Sequence, residues 1–322
     1  MRILFADKFP DNWRGRIEEA GHSCRCEPEL GENELPQAIA DSEVLVVRST
    51  RVNGSVFSAA ANLKLVIRAG AGTNTIDKDA AKDAGIAVCN TPGRNAVAVA
   101  ELAMGLILCI DRRIPDNVSD LRDGRWDKKG YSKARGIMGS TIGVLGAGAI
   151  GLALMHRARA FGMRILVLQK HGRDEATLEA FSRLGVEEVE DLQSLAADVD
   201  YLSIHLPANE NTRGLINADV LKHMKPGTAV INTSRGEVID EEALITAMNE
   251  GGIRAGLDVY QNEPGASDNA FDSSLARHPS VYGTHHIGAS TSQAQDAVAE
   301  GVADVIEAFV RGELVNCVNG LS

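Results

Sequence analysis

The sequence predicts an α/β protein built on two parallel sheets, and three observations carry that expectation. Short apolar runs alternate with helix-like segments along nearly the whole chain, the pattern of parallel strands joined by crossover helices. A length of 322 residues is too great for one small domain and about right for two. One glycine-rich turn, Gly146-Ala-Gly148-Ala-Ile-Gly151, stands between an apolar strand and a helix, the setting of a doubly wound domain.

In the first part of the chain the expected strands are Ile3–Ala6, Val44–Val47, Leu65–Ile67 and Ile86–Cys89, with helical pattern at Asp11–Ala20 and Asp77–Ala84. A long apolar helix is expected from Asn95 to Arg113, then a polar, irregular stretch from Ile114 to Gly139 containing Trp126 and Tyr131. A second strand series follows at Ile142–Leu145, Ile165–Leu168, Tyr201–His205, Ala229–Asn232, Ala255–Val259 and Val281–Gly283. Its helices are expected at Ile150–Phe161, Asp174–Leu184 and Glu241–Glu250, and a final helix at Ser292–Arg311. No short repeat points to a solenoid.

The formal net charge of -11 argues against nucleic acid or an anionic membrane as partner, without excluding a local basic pocket for a small anion. Cys24, Cys26, Cys89, Cys109 and Cys317 form an odd, scattered set that reads as reduced thiols in a cytoplasm, with no metal site expected. The best uncharged apolar run, Leu102 to Ile110, has nine residues, well short of the roughly 18 needed to span a bilayer.

The glycine turn is the strongest local signal. Gly146 permits the tight turn, Gly148 lets backbone approach a pyrophosphate, and Gly151 lets helix and strand pack closely. The helix start, with Ala149 and Ile150, then offers free N–H groups to phosphate. The next strand ends at Gln169, where enzymes that use NAD normally hold an acidic residue for the ribose. Gln169, with Lys170, His171 and Arg173 following, leaves NADP open beside NAD; the alternative is that these cations are only solvated surface.

Three later segments place polar residues just after apolar strands, where an open parallel sheet lines its ligand crevice. They are Val230-Ile-Asn-Thr-Ser-Arg235-Gly, Gly256-Leu-Asp258-Val-Tyr-Gln-Asn-Glu263-Pro264 and Val281-Tyr-Gly-Thr-His285-His286-Ile-Gly-Ala-Ser-Thr291. Each alone has a bland reading, as a capping arginine, loop acids or surface histidines.

Together with Val47-Arg-Ser-Thr, Arg68-Ala-Gly-Ala-Gly72 and Asn95 to Glu101, these motifs make the chain resemble the D-isomer-specific 2-hydroxyacid dehydrogenases, and within them the phosphoglycerate dehydrogenase branch. The resemblance runs nearly end to end. It implies Arg235, Glu263 and His286 as the catalytic set. An arginine offers a planar fork to a carboxylate and the C2 oxygen. An imidazole, ordinarily titrating near neutrality, can take and return the hydroxyl proton. Glu263 would hold the far ring nitrogen. The same resemblance places Asp258 near the nicotinamide carboxamide and lines the cofactor with Leu206, Pro207, Thr212, Thr233, Ser234, Arg235, His286 and Gly288. Ala71 and Gly72 would donate to the substrate carboxylate. The family usually has Thr-Pro-His where this chain has Thr284-His285-His286, which leaves the role of His285 open.

The resemblance further implies two Rossmann-like doubly wound parallel-sheet domains. Residues 1–95 with 291–322 would form a split substrate domain. Residues 96–290 would form an inserted NAD(P)-binding domain, with a ligand cleft between the two and hinge closure. The helix at Asn95–Arg113 and the arm after it resemble the family's dimer-forming region, so a homodimer is expected. Arg48, Ser49 and Arg51 resemble a substrate-phosphate site, which favours 3-phosphoglycerate/3-phosphohydroxypyruvate and a place in serine biosynthesis. Arg48 could instead serve any 2-hydroxy acid or only stabilise its loop. The alternatives are a hydroxypyruvate/glyoxylate reductase, a sulfolactate-type dehydrogenase, or an NAD(H)-sensing corepressor-like protein. The sequence ends soon after the last helix, so a regulatory C-terminal domain is not expected.

Overall fold

The computed structural model describes residues 1–264 and 270–321. The expected domain spans also take in residues 265–269 and 322, which lie outside the described residues. The chain divides into two compact units, Met1–Asn95 with Ser290–Ser322, and Ala96–Ala289.

In the first unit the order is β1 (Arg2–Phe5), α1 (Asp11–Glu19), β2 (Ser23–Cys26), α2 (Leu35–Ala38), β3 (Val44–Val47), α3 (Gly54–Ala59), β4 (Leu65–Arg68), α4 (Lys78–Asp83) and β5 (Ala87–Asn90). The strands pair in parallel in the order β2-β1-β3-β4-β5. Alternate residues feed two cores. Leu4, Leu45 and Val47 pack on one face; Ile3, Phe5, Val44 and Val46 pack on the other. The second face is covered by Val302, Val305 and Ile306, which belong to the last helix of the chain.

The second unit runs α5 (Ala96–Arg112), α6 (Ile114–Arg122), α7 (Lys128–Tyr131), β6 (Thr141–Leu145), α8 (Ala149–Ala160), β7 (Arg164–Leu168), α9 (Glu175–Leu184), β8 (Val186–Val189), α10 (Leu192–Asp198) and β9 (Tyr201–Ile204). It continues with α11 (Ala218–Leu221), β10 (Ala229–Asn232), a 3₁₀ turn at Gly236–Val238, α12 (Glu241–Gly251), β11 (Arg254–Leu257) and β12 (Val281–Gly283). Helix α13 (Ser292–Val310) then returns to the first unit. The seven-stranded sheet has the order β12-β11-β10-β9-β6-β7-β8, all parallel. The order reverses between β6 and β9, the place where open α/β sheets bind ligands. Both faces are buried: Ile142, Ile165 and Ile231 on one, Leu166, Leu202 and Val230 on the other. Two-sided burial explains why these strands read as continuous apolar runs.

The strand series holds within a residue or two of expectation, apart from two omissions. β2 and β8 end their respective sheets, and their burial alternates or is slight. An edge strand pairs on one side only and tolerates polar residues such as Glu187 and Glu188, so it leaves no apolar run to find. The expectation of an irregular segment from Ile114 to Gly139 is corrected by α6 and α7. Pro115 sits in the first turn of α6 beside Asp116, and Arg122 in its last, each favourable there. The helical period is hidden because none of its residues is buried.

Candidate active site

The glycine turn after β6 is shaped by close approaches. Gly146 has φ +102°, and a Cβ there would lie 2.4 Å from the His205 carbonyl oxygen, across the reversal point of the sheet. A Cβ on Gly151 would lie 1.9 Å from the Gly146 oxygen, so helix and turn pack as backbone on backbone. At Gly148 a Cβ would meet nothing within 4 Å. Two glycines are thus required by the protein itself, and the middle one leaves open space.

That space adjoins the start of α8, with Ala149 and Ile150 in its first turn. Gly148 is the N-cap and supplies no side-chain bond. Asp174, Asp191 and Asp240 each cap α9, α10 and α12 through a carboxylate oxygen. The N–H groups opening α8 are therefore left for another anion, which fits the pyrophosphate of a dinucleotide. A second orphan points the same way: the Thr233 hydroxyl is buried without a hydrogen-bond partner among the described residues.

The rest of this rim is ordered by short internal bonds. Leu206 and Pro207 follow β9, and the Thr212 hydroxyl donates to the Pro207 carbonyl at 2.5 Å, closing their loop. Gln169 and Lys170 are exposed at the end of β7, and neither side chain makes a hydrogen bond among the described residues. Arg173 behaves differently. It pairs with Glu188 at 3.2 Å, donates to the Leu168 carbonyl at 2.5 Å and lies 4.9 Å over the Phe181 ring. Of the cations that leave NADP open by sequence, Arg173 thus has its guanidinium engaged with Glu188 of β8, the Leu168 carbonyl and Phe181 of α9.

After β10, buried Asn232 builds the corner that presents Arg235. Its side-chain oxygen accepts from the Ser234 N–H at 3.0 Å and the Ser234 hydroxyl at 2.8 Å, and its amide donates to the Arg235 carbonyl at 2.9 Å. A Cβ on the next residue, Gly236, would lie 2.0 Å from the Tyr260 carbonyl carbon. Only glycine lets the Arg235 corner pack against the segment that leads to Glu263.

Glu263 and His286 meet. His286 Nδ1 lies 2.6 Å from Glu263 Oε2, while Glu263 Oε1 accepts from the Tyr260 N–H at 3.0 Å. Burial works to raise the Glu263 carboxyl. The hydrogen bonds from His286 and Tyr260, with the charges of His286 and Arg235, outweigh it and hold the group below its usual range. The pair leaves the Nε2 side of the ring available, and both residues keep exposed surface.

His286 is held from behind. Its φ is +52°, a left-handed conformation uncommon outside glycine. Asp258, 1% exposed, supplies the restraint. Its carbonyl accepts from the His286 N–H at 2.8 Å. Its carboxylate accepts from the Thr284 hydroxyl at 2.6 Å and from the Ile287 and Gly288 N–H groups at 2.8 Å each. Asp258 was expected at the carboxamide of a nicotinamide; its bonds within the protein go to the turn that carries His286. His285 is exposed and makes no hydrogen bond among the described residues.

In the first unit, Arg48 and Ser49 follow β3. The Arg48, Ser49 and Thr50 N–H groups all donate to Asp7 Oδ2, at 2.6, 3.1 and 3.2 Å. Their amides are spent, while the side chains of Arg48 and Arg51 have no partner among the described residues. Ala71 and Gly72 lie in the loop after β4, where the Asn90 amide donates to the Ala71 carbonyl at 2.6 Å.

Sequence reasoning missed Asp7, Asn232 and the Tyr260 N–H. Asp7 had a signal, an acid directly after an apolar strand, and so did Asn232, the Asn-x-Ser pattern of an Asx turn. The Tyr260 N–H had none.

Comparison with known proteins bears on this geometry. Residues 104–288 match the family model described as D-isomer specific 2-hydroxyacid dehydrogenase, NAD binding domain. The chain belongs to the D-isomer-specific 2-hydroxyacid dehydrogenase family. It is 39% identical over 322 residues to a D-3-phosphoglycerate dehydrogenase of Methanocaldococcus jannaschii, covering 99% of this chain and 59% of that one. It is 42% identical over 271 residues to a hydroxypyruvate reductase of Thermotoga maritima, covering 84% of this chain and 85% of that one. This family member therefore spans little more than half the length of the Methanocaldococcus jannaschii enzyme, but most of the reductase. An NAD+-bound 3-phosphoglycerate dehydrogenase of Entamoeba histolytica superposes with a TM-score of 0.81 at 26% identity, covering 100% of this chain and 99% of that chain. No helix among the described residues is long and apolar enough to cross a membrane.

Proposed function

We propose that this family member interconverts a D-2-hydroxy acid and its 2-keto acid, with 3-phosphoglycerate/3-phosphohydroxypyruvate as the substrate pair, and that it serves serine biosynthesis in the cytoplasm. The observation that carries the reading is the His286–Glu263 pair at 2.6 Å, on the same sheet rim as Arg235 and the uncapped start of α8.

The Gly146–Gly151 turn and the start of α8 would hold a nicotinamide cofactor, which would supply the hydride acceptor in oxidation and the hydride donor in reduction. His286 Nε2 takes the hydroxyl proton in oxidation and returns it in reduction. Glu263 orients the ring through Nδ1, and the adjacent carboxylate stabilises the imidazolium that forms. Arg235 fixes the carboxylate and C2 oxygen with its planar fork. Arg48 and Ser49 bind the distal anion, and Ala71 and Gly72 bind the carboxylate. Leu206, Pro207, Thr212, Thr233, Ser234 and Gly288 line the cofactor, while Gln169 leaves both NAD and NADP usable. Residues 96–290 act as the cofactor domain, and 1–95 with 291–322 as the substrate domain.

A homodimer is part of this reading. Ile114, Leu121, Trp126 and Met138 expose apolar side chains on one stretch of chain, Trp126 at 81% and Met138 at 85%, which supports a partner surface there.

The second reading is a hydroxypyruvate reductase, favoured by the 42% identity and 85% coverage of that relative. One experiment separates these readings: absorbance at 340 nm with NADH or NADPH across a panel of 2-keto acids. Fastest turnover on 3-phosphohydroxypyruvate supports the first, and on hydroxypyruvate or glyoxylate the second. No turnover on any member of the panel defeats both and favours a cofactor-sensing protein.

A further inference from the structure

The segment after α13 runs back along β5, the last strand of its sheet, and pairs with it antiparallel. The Asn90 N–H donates to the Asn316 carbonyl at 3.2 Å, and the Val318 N–H to the Val88 carbonyl at 2.8 Å. The Asn319 side chain fastens the end. It accepts from the Val88 N–H at 3.0 Å and donates to the Ile86 carbonyl at 2.8 Å.

Between these bonds Cys89 stands directly opposite Cys317. The flanking residues exchange the hydrogen bonds, so the two cysteines form the narrow kind of antiparallel pair, with Cα atoms about 4.5 Å apart and side chains on one face. A disulfide spans about 4.4–6.8 Å between Cα atoms. Cys89 is fully buried among Ile3, Phe5 and Val302, and Cys317 packs against the same cluster while staying partly exposed. Cys24 and Cys26 share strand β2, and Cys109 lies on α5; none of them faces another cysteine across a strand pair.

We propose that Cys89 and Cys317 are an oxidation-sensitive pair that closes to an intramolecular disulfide in the presence of a small disulfide such as oxidised glutathione. The Cys317 thiolate attacks one glutathione sulfur and expels a glutathione thiolate. The Cys89 thiolate then attacks the Cys317 sulfur of the mixed disulfide and expels the second. The two cysteines lose two protons and two electrons, and one oxidised glutathione becomes two reduced ones. Order follows access, since the oxidant reaches Cys317 and not Cys89. Burial, with the Cys317 thiol beside it, pushes the Cys89 thiol up to about 12. Its thiolate is scarce at neutral pH, so the second step is slow and quickens with pH. The bond would close a loop containing the whole unit Ala96–Ala289 and join the two chain segments of the other unit. Cross-links across long loops restrict the unfolded chain most.

The test incubates the reduced full-length protein with oxidised glutathione at pH 7.5 and 8.5, blocks free thiols with N-ethylmaleimide, and maps peptides by mass spectrometry. We expect a Cys89–Cys317 linked peptide, formed about tenfold faster at the higher pH. We expect Tm to rise by about 5 °C or more and to fall back with dithiothreitol. Cys317→Ala, a change at a partly exposed position, should lose both the link and the shift. Glutathione retained on Cys317 without a linked peptide would overturn the proposal. So would both cysteines remaining open to N-ethylmaleimide, or a link from either to Cys24 or Cys26. The peptide map of the wild type needs no variant to fold.

Discussion

His286 and His205 both follow strands of one parallel sheet, and the sheet treats them in opposite ways. His205 comes directly after β9. Its Nε2 lies 2.8 Å from the Ser203 hydroxyl, its Nδ1 is buried without a partner among the described residues, and burial pushes it down to about 4. His286 comes three residues after β12, on a left-handed turn, with Glu263 on one ring nitrogen and exposed surface on the other side. A histidine one residue from the strand is packed neutral. One carried outward on a restrained turn can exchange protons with a ligand. Strand-end position alone does not leave an imidazole open to a ligand; the length and bonding of the turn that follows do.

The comparison breaks most sharply at His286. His286→Ala should lower turnover by about 100-fold or more, with cofactor affinity nearly intact. Near-normal turnover in steady-state assays would remove His286 from the chemistry. The same change at exposed, unbonded His285 should do far less. Arg235→Lys comes next. It keeps the charge and loses the fork, and should cost roughly 30-fold in kcat/KM; full activity would contradict two-pronged recognition.

His205 sharpens the other side. Its folded pKa is depressed, so the unfolded chain binds the extra proton between its ordinary 6.5 and about 4. The stability this neutral ring contributes is complete above pH 6.5 and is lost as pH falls toward 4. The loss should be on the order of 2 kcal/mol. Denaturant midpoints for wild type and His205→Asn across that window check it; equal slopes would show that His205 does not stay neutral. Glu263 has the usual carboxylate sign: its contribution is present above its ordinary 4.5 and is lost at lower pH. The two windows therefore adjoin, and the variant separates them.

The smallest effect concerns the cofactor. With Gln169 and Lys170 exposed and Arg173 committed to Glu188, wild-type use of NADP(H) should fall within about 100-fold of NAD(H) in kcat/KM. Gln169→Asp should move the ratio toward NAD(H) by about tenfold, through the regained ribose contact and repulsion of a 2′-phosphate. Arg173→Ala should leave the ratio nearly unchanged. A ratio that moves with Arg173 and not with Gln169 would reverse the assignment.

Residue order by itself determined the α/β class, the central strands and the glycine turn. Each is written in short-range pattern: apolar runs buried on two faces, and glycines at fixed spacing between an apolar strand and a helix. The Arg235, Glu263 and His286 motifs were legible through resemblance, and their placement after strands through the rule for parallel sheets. Other features depended on partners far along the chain. The edge strands β2 and β8 have little apolar pattern, because their identity comes from a single neighbouring strand. The bonds Asp258 makes within the protein were not legible, since nothing local shows a carboxylate turning back to hold residues 284–288. Arg173 looked like a free cation until Glu188, Leu168 and Phe181 were brought to it. Cys89 and Cys317 looked like scattered thiols until the end of the chain paired with β5. Local pattern sets what a segment can be. Which donor meets which acceptor is decided only when distant strands come into register, because a hydrogen bond or an ion pair acts over a few ångströms in space whatever the separation in sequence.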